Sequence, residues 1–378
     1  MRVLLTTDTV GGVWTHTKEL TEGLLEGSHA VALASFGRRP SPDQSSWCSG
    51  MSTRYPDAFR YVASETPLEW MDANDSAYTD AEELLLDLTQ NFGAEILHTN
   101  QFCFGKLPAR IPKLVGAHSD VLSWAAACRP DGLDRSPWLD RYRDLTQAGL
   151  TSADAVVAPT RWMLGALAEG FSLPGEAYVI ANGRDLPAPS REPLRRLQAV
   201  SAGRQWDEAK GLVILADVAS PIPLFVAGEV EHGTAGASQS IGQANLLGAM
   251  EEQQLLDLFR SSSIYLALSV YEPFGLAPLE AALCGCAVVA NDIPSFREVW
   301  GSSALYFQGA RSLSDLLAQL ASEPVLLRDF QSRALSRALP MTRARMVERY
   351  LEVYRHLLDP AYPFPARPEA AEVPVHAS

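Results

Sequence analysis

Short β-branched runs alternate along this chain with stretches long enough for helices, and they do so in two tandem series. The first series comprises Arg2–Thr7, Ala30–Ser35, Glu95–His98, Leu114–Ala117 and Ala155–Ala158. The second comprises Tyr178–Ile180, Ala199–Ala202, Leu224–Ala227, Ile264–Leu268 and Ala287–Ala290. Strands separated by helix-length connections pair in parallel, and a parallel sheet needs helices over both faces. Two series therefore predict two doubly wound α/β domains, with the break between Leu173 and Pro187. Length agrees, because 378 residues exceed what one ordinary core takes up.

Composition narrows the partners. A hydrophobic share of 47% suits a folded chain, and no apolar run reaches the roughly 18 residues that a membrane-spanning helix needs. The opening Met1–Asp8 places an acidic residue and a turn where a secretory leader keeps its apolar stretch, which predicts a cytoplasmic protein whose first residues form a strand. A net charge of −14 argues against a nucleic-acid partner, which would call for a basic face. The five cysteines are odd in number and scattered, as expected of reduced thiols. Cys284-Gly285-Cys286 falls one residue short of a C-x-x-C pair and reads as small buried residues. Neither Asp-x-Asp nor a clustered His/Cys spacing marks a metal site.

The chemistry concentrates in Tyr271-Glu272-Pro273-Phe274-Gly275-Leu276-Ala277-Pro278-Leu279-Glu280. Two carboxylates flank a Pro/Gly turn at the head of a helix, where free N–H groups and the helix dipole attract phosphate. Ser269-x-x-Glu272 could be a capping box, but Pro273 and Gly275 follow directly and disfavour a helix there. A helix starting near Ala277-Pro278 fits better, since Pro is favoured at the first helical position. Upstream, Gly11 and Gly12 follow the first strand, where paired glycines let the backbone approach a ligand. Between Gly203 and Gly211, Arg204 and Lys210 supply a planar fork and a point charge. These are either two solvated cations or a pair able to stabilise charge developing on a diphosphate leaving group. His118 ends a strand of the first series at the carboxyl edge, where open α/β sheets bind ligands.

The spacing from Glu272 to Glu280, with Phe274-Gly275-Leu276 inside it, resembles the E-x7-E signature of family four glycosyltransferases. These are retaining enzymes of the GT-B fold that use a nucleotide-sugar donor. Gly11-Gly12 resembles the family's Gly-Gly loop, Gly203-Arg204 with Lys210-Gly211 its phosphate-binding pair, and Asn182-Gly183-Arg184-Asp185 its N-G-x-D hinge turn. Gly228 resembles the glycine under the nucleotide. The resemblance implies Glu272, with the amides of Phe274, Gly275 and Leu276, on sugar hydroxyls and Glu280 on the ribose. It also implies Arg204 and Lys210 on the diphosphate, His118 on the donor sugar, and front-face attack with the departing phosphate as base. In this family Arg and Lys stand in for a metal, so no cofactor is expected. The implied partners are a nucleotide diphosphate sugar, with UDP favoured by its frequency in the family, and an acceptor hydroxyl of unknown kind. Two other readings stay open: a non-catalytic subunit of the same fold that activates a partner, and an epimerase or phosphorylase built on it.

The resulting architecture is two Rossmann-like domains facing a cleft. Residues 1–178 form the acceptor domain and 179–343 the nucleotide-sugar domain. Residues 344–358, with Met346, Tyr350, Tyr354 and Leu357 on one face, form a helix crossing back to the first domain. Residues 359–378, rich in proline and alanine, are expected to be a loose tail. Ser295-x-x-Glu298 after Pro294 reads as a capping box without a catalytic part. The stretch Arg38–Pro67 carries no interpretable pattern.

Overall fold

A computed structural model describes residues 1–71, 75–189, 194–229 and 240–362. Of the predicted tail, residues 363–378 lie outside the described residues. The first sheet holds β1 (Arg2–Asp8), β2 (Ala30–Phe36), β3 (Phe59–Ala63), β4 (Ile96–Thr99), β5 (Lys113–Gly116), β6 (Ala155–Ala158) and β7 (Glu176–Val179). All its pairings are parallel, in the order β3-β2-β1-β4-β5-β6-β7. The second holds β8 (Arg196–Ala202), β9 (Leu224–Ala227), β10 (Ser240–Ile241), β11 (Ala244–Gly248), β12 (Ser262–Ala267), β13 (Ala287–Asn291) and β14 (Leu305–Phe307). Its order is β10-β11-β9-β8-β12-β13-β14, parallel except for the short β10.

The helices are α1 (Gly12–Glu26), α2 (Pro42–Arg54), α3 (Asp75–Phe92), α4 (Val121–Cys128), α5 (Pro137–Ser152) and α6 (Arg161–Gly170). They continue with α7 (Glu252–Ser261), α8 (Leu276–Leu283), α9 (Pro294–Trp300), α10 (Gly309–Ser322), α11 (Pro324–Ala338) and α12 (Arg343–Leu358). In both sheets the strand order reverses beside the first strand of the series, between β1 and β4 and between β8 and β12. Ligands of open α/β sheets bind in the crevice at such a switch point, beyond the carboxyl ends of the strands.

One strand expectation needs correcting, and one unread stretch proves structured. The sequence pattern puts Tyr178–Ile180 at the head of the second series, yet Tyr178 pairs with Val157 in the first sheet, where β7 is the edge strand. The strand precedes the linker rather than following it, and a short apolar run reads the same on either side of a boundary. The stretch Arg38–Pro67 contains α2 and β3, and β3 pairs along its whole length with β2.

Helix α12 returns to the first domain. Met346, Val347, Tyr350, Val353 and Tyr354 are buried together with Val3, Leu5, Leu20 and Leu24 in one apolar cluster. Tyr354 Oη lies 2.7 Å from His98 Nδ1. The two stretches of chain that cross between the domains lie against each other. Arg184 N donates to Met341 O at 2.9 Å, and Arg343 N donates to Asp185 Oδ1 at 3.2 Å. Cys284 and Cys286 are buried thiols in the second domain's core, as the sequence predicts.

Candidate active site

The turns that leave β1, β8 and β12 meet across the cleft. After β1, Gly11 takes φ +74°, a left-handed conformation that admits a glycine and strains other residues. A Cβ on Gly11 would lie 3.3 Å from Arg204 Nη1, and one on Gly12 would lie 3.6 Å from Leu276 Cδ1. The glycine loop of one domain thus sits against the cation and the carboxylate-bearing loop of the other.

After β8, Arg204 is held by Asp207, whose Oδ2 accepts from Nη2 at 2.5 Å and from Nε at 3.2 Å. Lys210 Nζ lies 2.7 Å from Glu272 Oε2, and Ser269 Oγ donates to the same oxygen at 3.1 Å. Gly228 follows β9 at φ +147°, and a Cβ there would fall 1.8 Å from the Gly203 carbonyl oxygen. Its lack of a side chain lets β9 close onto the turn that presents Arg204. Gly228 is therefore a packing residue of the site. The residues that follow it, 230–239, are outside the described residues.

Helix α8 starts at Leu276 with Gly275 as its N-cap, one residue before the expected start, and Pro278 sits inside its first turn. Phe274 points into the second domain's core, 3% exposed, so any part it takes in the site is through its backbone. Glu280 is 8% exposed and its Oε1 accepts from Arg184 Nε at 2.8 Å. Burial holds its carboxyl above the ordinary range, and Arg184 offsets only part of that rise.

His118 follows β5, and its Nε2 faces Asn100 Oδ1 at 2.9 Å. The His16 ring is 4.4 Å from the His118 ring, and His98 completes the group, with His16 and His98 buried and His118 partly exposed. Burial lowers all three, His118 to about 4 and His98 to about 3. At neutral pH His118 is thus uncharged and offers hydrogen bonding rather than a positive charge. Asp120 serves the fold: it caps α4, accepting from Leu122 N at 2.8 Å and Ser123 N at 3.0 Å.

Sequence reasoning missed several residues that shape the site. Asp8, at the carboxyl end of β1, accepts from Val10 N at 3.1 Å. Burial raises its carboxyl to about 7, against the pull of that N–H and of Arg204, with the nearby Glu69 adding to the rise. An acidic residue just ahead of a Gly-Gly turn was the available signal. Tyr271 bridges the cleft, its Oη 3.0 Å from Ser119 Oγ and 2.9 Å from Ser123 Oγ. Thr160 Oγ1 donates to Pro273 O at 2.9 Å, also between domains. The expected capping box on α9 is absent: the N-cap is Ile293, and no side chain caps it. Glu298 instead accepts from Arg161 N at 2.8 Å and Trp162 N at 2.9 Å, so it caps α6 of the opposite domain. Among the described residues, no group of three or more His, Cys, Asp or Glu could hold a metal ion.

Residues 10–187 match the family described as Glycosyltransferase Family 4, and residues 211–337 match Glycosyl transferases group 1. The chain is a glycosyltransferase. The enzyme has the GT-B fold, shared with sucrose-phosphate synthase from Thermosynechococcus elongatus at a TM-score of 0.74 and 18% identity, over 94% of this chain and 99% of that one. Anabaena HepE in complex with UDP-glucose aligns at a TM-score of 0.70 and 13% identity, over 94% and 99%. The glycosyltransferase is also 23% identical over 288 residues to the α-maltose-1-phosphate synthase of Mycolicibacterium smegmatis, covering 65% of this chain and 73% of that protein. No helix among the described residues is long and apolar enough to cross a membrane.

Proposed function

We propose that this glycosyltransferase moves a hexose, with retention at the anomeric carbon, from a nucleotide diphosphate sugar to an acceptor hydroxyl. UDP-linked donors are favoured. The observation that carries the reading is the convergence of Arg204, Lys210 and Glu272 beneath the Gly11-Gly12 loop at the switch points of both sheets. Arg204 and Lys210 neutralise the diphosphate as the glycosidic bond breaks, in a cleft from which the opposed domains exclude water. Glu272, with the amides of Phe274, Gly275 and Leu276, accepts and donates to sugar hydroxyls, and Glu280 takes the ribose. Lys210 then exchanges part of its contact with Glu272 for phosphate oxygens. Neutral His118 hydrogen-bonds the sugar from the first domain.

The acceptor enters from the side of the leaving group. Its oxygen bonds to the anomeric carbon while the bond to the diphosphate breaks, and its proton passes to the departing phosphate. No divalent cation takes part, so activity abolished by EDTA and restored by Mn²⁺ overturns that element. HepE, whose structure holds UDP-glucose, supports the choice of donor class.

The test is thermal unfolding with UDP, ADP and GDP, on the wild type and on Arg204→Ala/Lys210→Ala. Ligand at 100 times its dissociation constant adds about 2.7 kcal/mol to the folded state. A rise in midpoint with one nucleotide, lost in the double variant, supports the donor site and names the base. No rise with any of the three overturns it.

A further inference from the structure

Arg184 occupies the variable position of the Asn182–Asp185 turn, where the two domain crossings touch, and its side chain is 3% exposed. Its guanidinium serves three carboxylates from three helices. Nε donates to Glu280 Oε1 of α8 at 2.8 Å, Nη1 to Glu19 of α1 and Nη2 to Glu252 of α7. Two of those carboxylates have other cations. Lys18 Nζ lies 3.1 Å from Glu252 Oε2, and Arg343 Nε lies 2.6 Å from Glu19 Oε2. Glu280 has only Arg184 among the described residues, and its Oε2 has no protein partner among them. The other ionisable groups facing it are Glu252, Glu19, Cys284 and Tyr265, all neutral or negative.

We propose that Arg184 is the positioning residue of the ribose subsite: its hydrogen bond to one oxygen of Glu280 fixes that buried carboxyl, favours its charged form and leaves the other oxygen for the ribose hydroxyls. The inference rests on the reading above that Glu280 takes the ribose. An ionised carboxylate accepts from both hydroxyls of a diol, whereas a protonated one gives up part of its acceptor capacity. Without Arg184, the buried Glu280 would sit beside two other carboxylates with no cation of its own, and burial with like charge drives such a group to keep its proton. Through Glu19 the same guanidinium reaches the first domain, so the subsite is complete only when α1 is docked.

The experiment compares binding of UDP, ADP and GDP with that of their 2′-deoxy forms between pH 5.5 and 8.5. Proteins are the wild type, Arg184→Gln, Arg184→Lys and Glu280→Gln, each checked for folding by its unfolding midpoint. A lost hydrogen bond to a charged group is worth about tenfold in affinity. The wild type is expected to prefer the ribonucleotide by about that factor across the range. Arg184→Gln should lose the preference at low pH and regain it as pH rises, and Arg184→Lys should keep most of it throughout. A preference in Arg184→Gln that is unchanged, or reduced equally at every pH, overturns the proposal and leaves the ribose reading standing. A preference unaffected by Glu280→Gln, or no binding of any nucleotide to the wild type, overturns the ribose reading itself and the proposal with it. Should Arg184→Gln not fold, Arg184→Gln/Glu19→Gln removes a cation and a carboxylate together and carries the same expectation.

Discussion

Asp8 gives the folded state a dependence on pH that one substitution should remove. Its carboxyl is raised from an ordinary 3.8 to about 7, chiefly because burial at the end of β1 disfavours the charge. A raised carboxyl binds more protons folded than unfolded between those two values, so stability falls as pH climbs through that window. The contribution is fully present below pH 4 and gone above about pH 7. A shift of about three units at 1.36 kcal/mol each gives at most about 4 kcal/mol. Asp8→Asn keeps the acceptor for Val10 N and removes the titration. Urea unfolding of both proteins at pH 5, 6, 7 and 8, without nucleotide, reads the difference directly. The variant should already lead by about 1.5 kcal/mol at pH 5, and its lead should widen to about 4 kcal/mol at pH 8. A difference that stays constant over the range, or a wild type that gains on the variant as pH rises, refutes the argument.

Three further outcomes are expected. Glu272→Ala should lower turnover by about 10²–10³ while nucleoside diphosphate binding persists, because the lost contacts are to the sugar; full transfer rate with unchanged donor affinity would remove Glu272 from the role given it. Gly228→Ala drives a Cβ to 1.8 Å from the Gly203 carbonyl oxygen and should cost about 3 kcal/mol or more, read as a fall in the urea midpoint. Glu298→Ala leaves two backbone N–H groups of α6 without their acceptor from the other domain. That is worth about 1 kcal/mol, a midpoint drop of about 2–4 °C in a heating scan, and an unchanged midpoint would show the cap to be dispensable.

Both parallel sheets were legible because their central strands are unbroken apolar runs between helix-length connections. Edges were not. Strand β3 alternates buried Phe59 with exposed Arg60 and half-exposed Tyr61 and Val62, too weak a pattern to stand out from its surroundings. The site was legible where chemistry demands particular residues at particular offsets, as with Arg204 and Lys210 or Glu272 and Glu280. It was illegible where the partner is distant in sequence. Glu298 sits at the spacing of a local cap, yet its hydrogen bonds reach a helix that begins at Arg161. Arg184 filled a variable position in a turn, and only the folded chain brings Glu19, Glu252 and Glu280 around it.

The return of α12 to the first domain has a consequence for synthesis. The cluster built on Val3, Leu5, Leu20 and Leu24 is closed by Tyr350, Val353 and Tyr354, so the first half of the protein to leave the ribosome lacks one wall of its own core. At translation rates of about 5–20 residues per second, the interval between Val179 and Leu358 is roughly 10–35 s. Through that interval Val3, Leu5, Leu20 and Leu24 lack the apolar residues of α12 that cover them in the folded structure. Trimming α12 would therefore damage the domain made first.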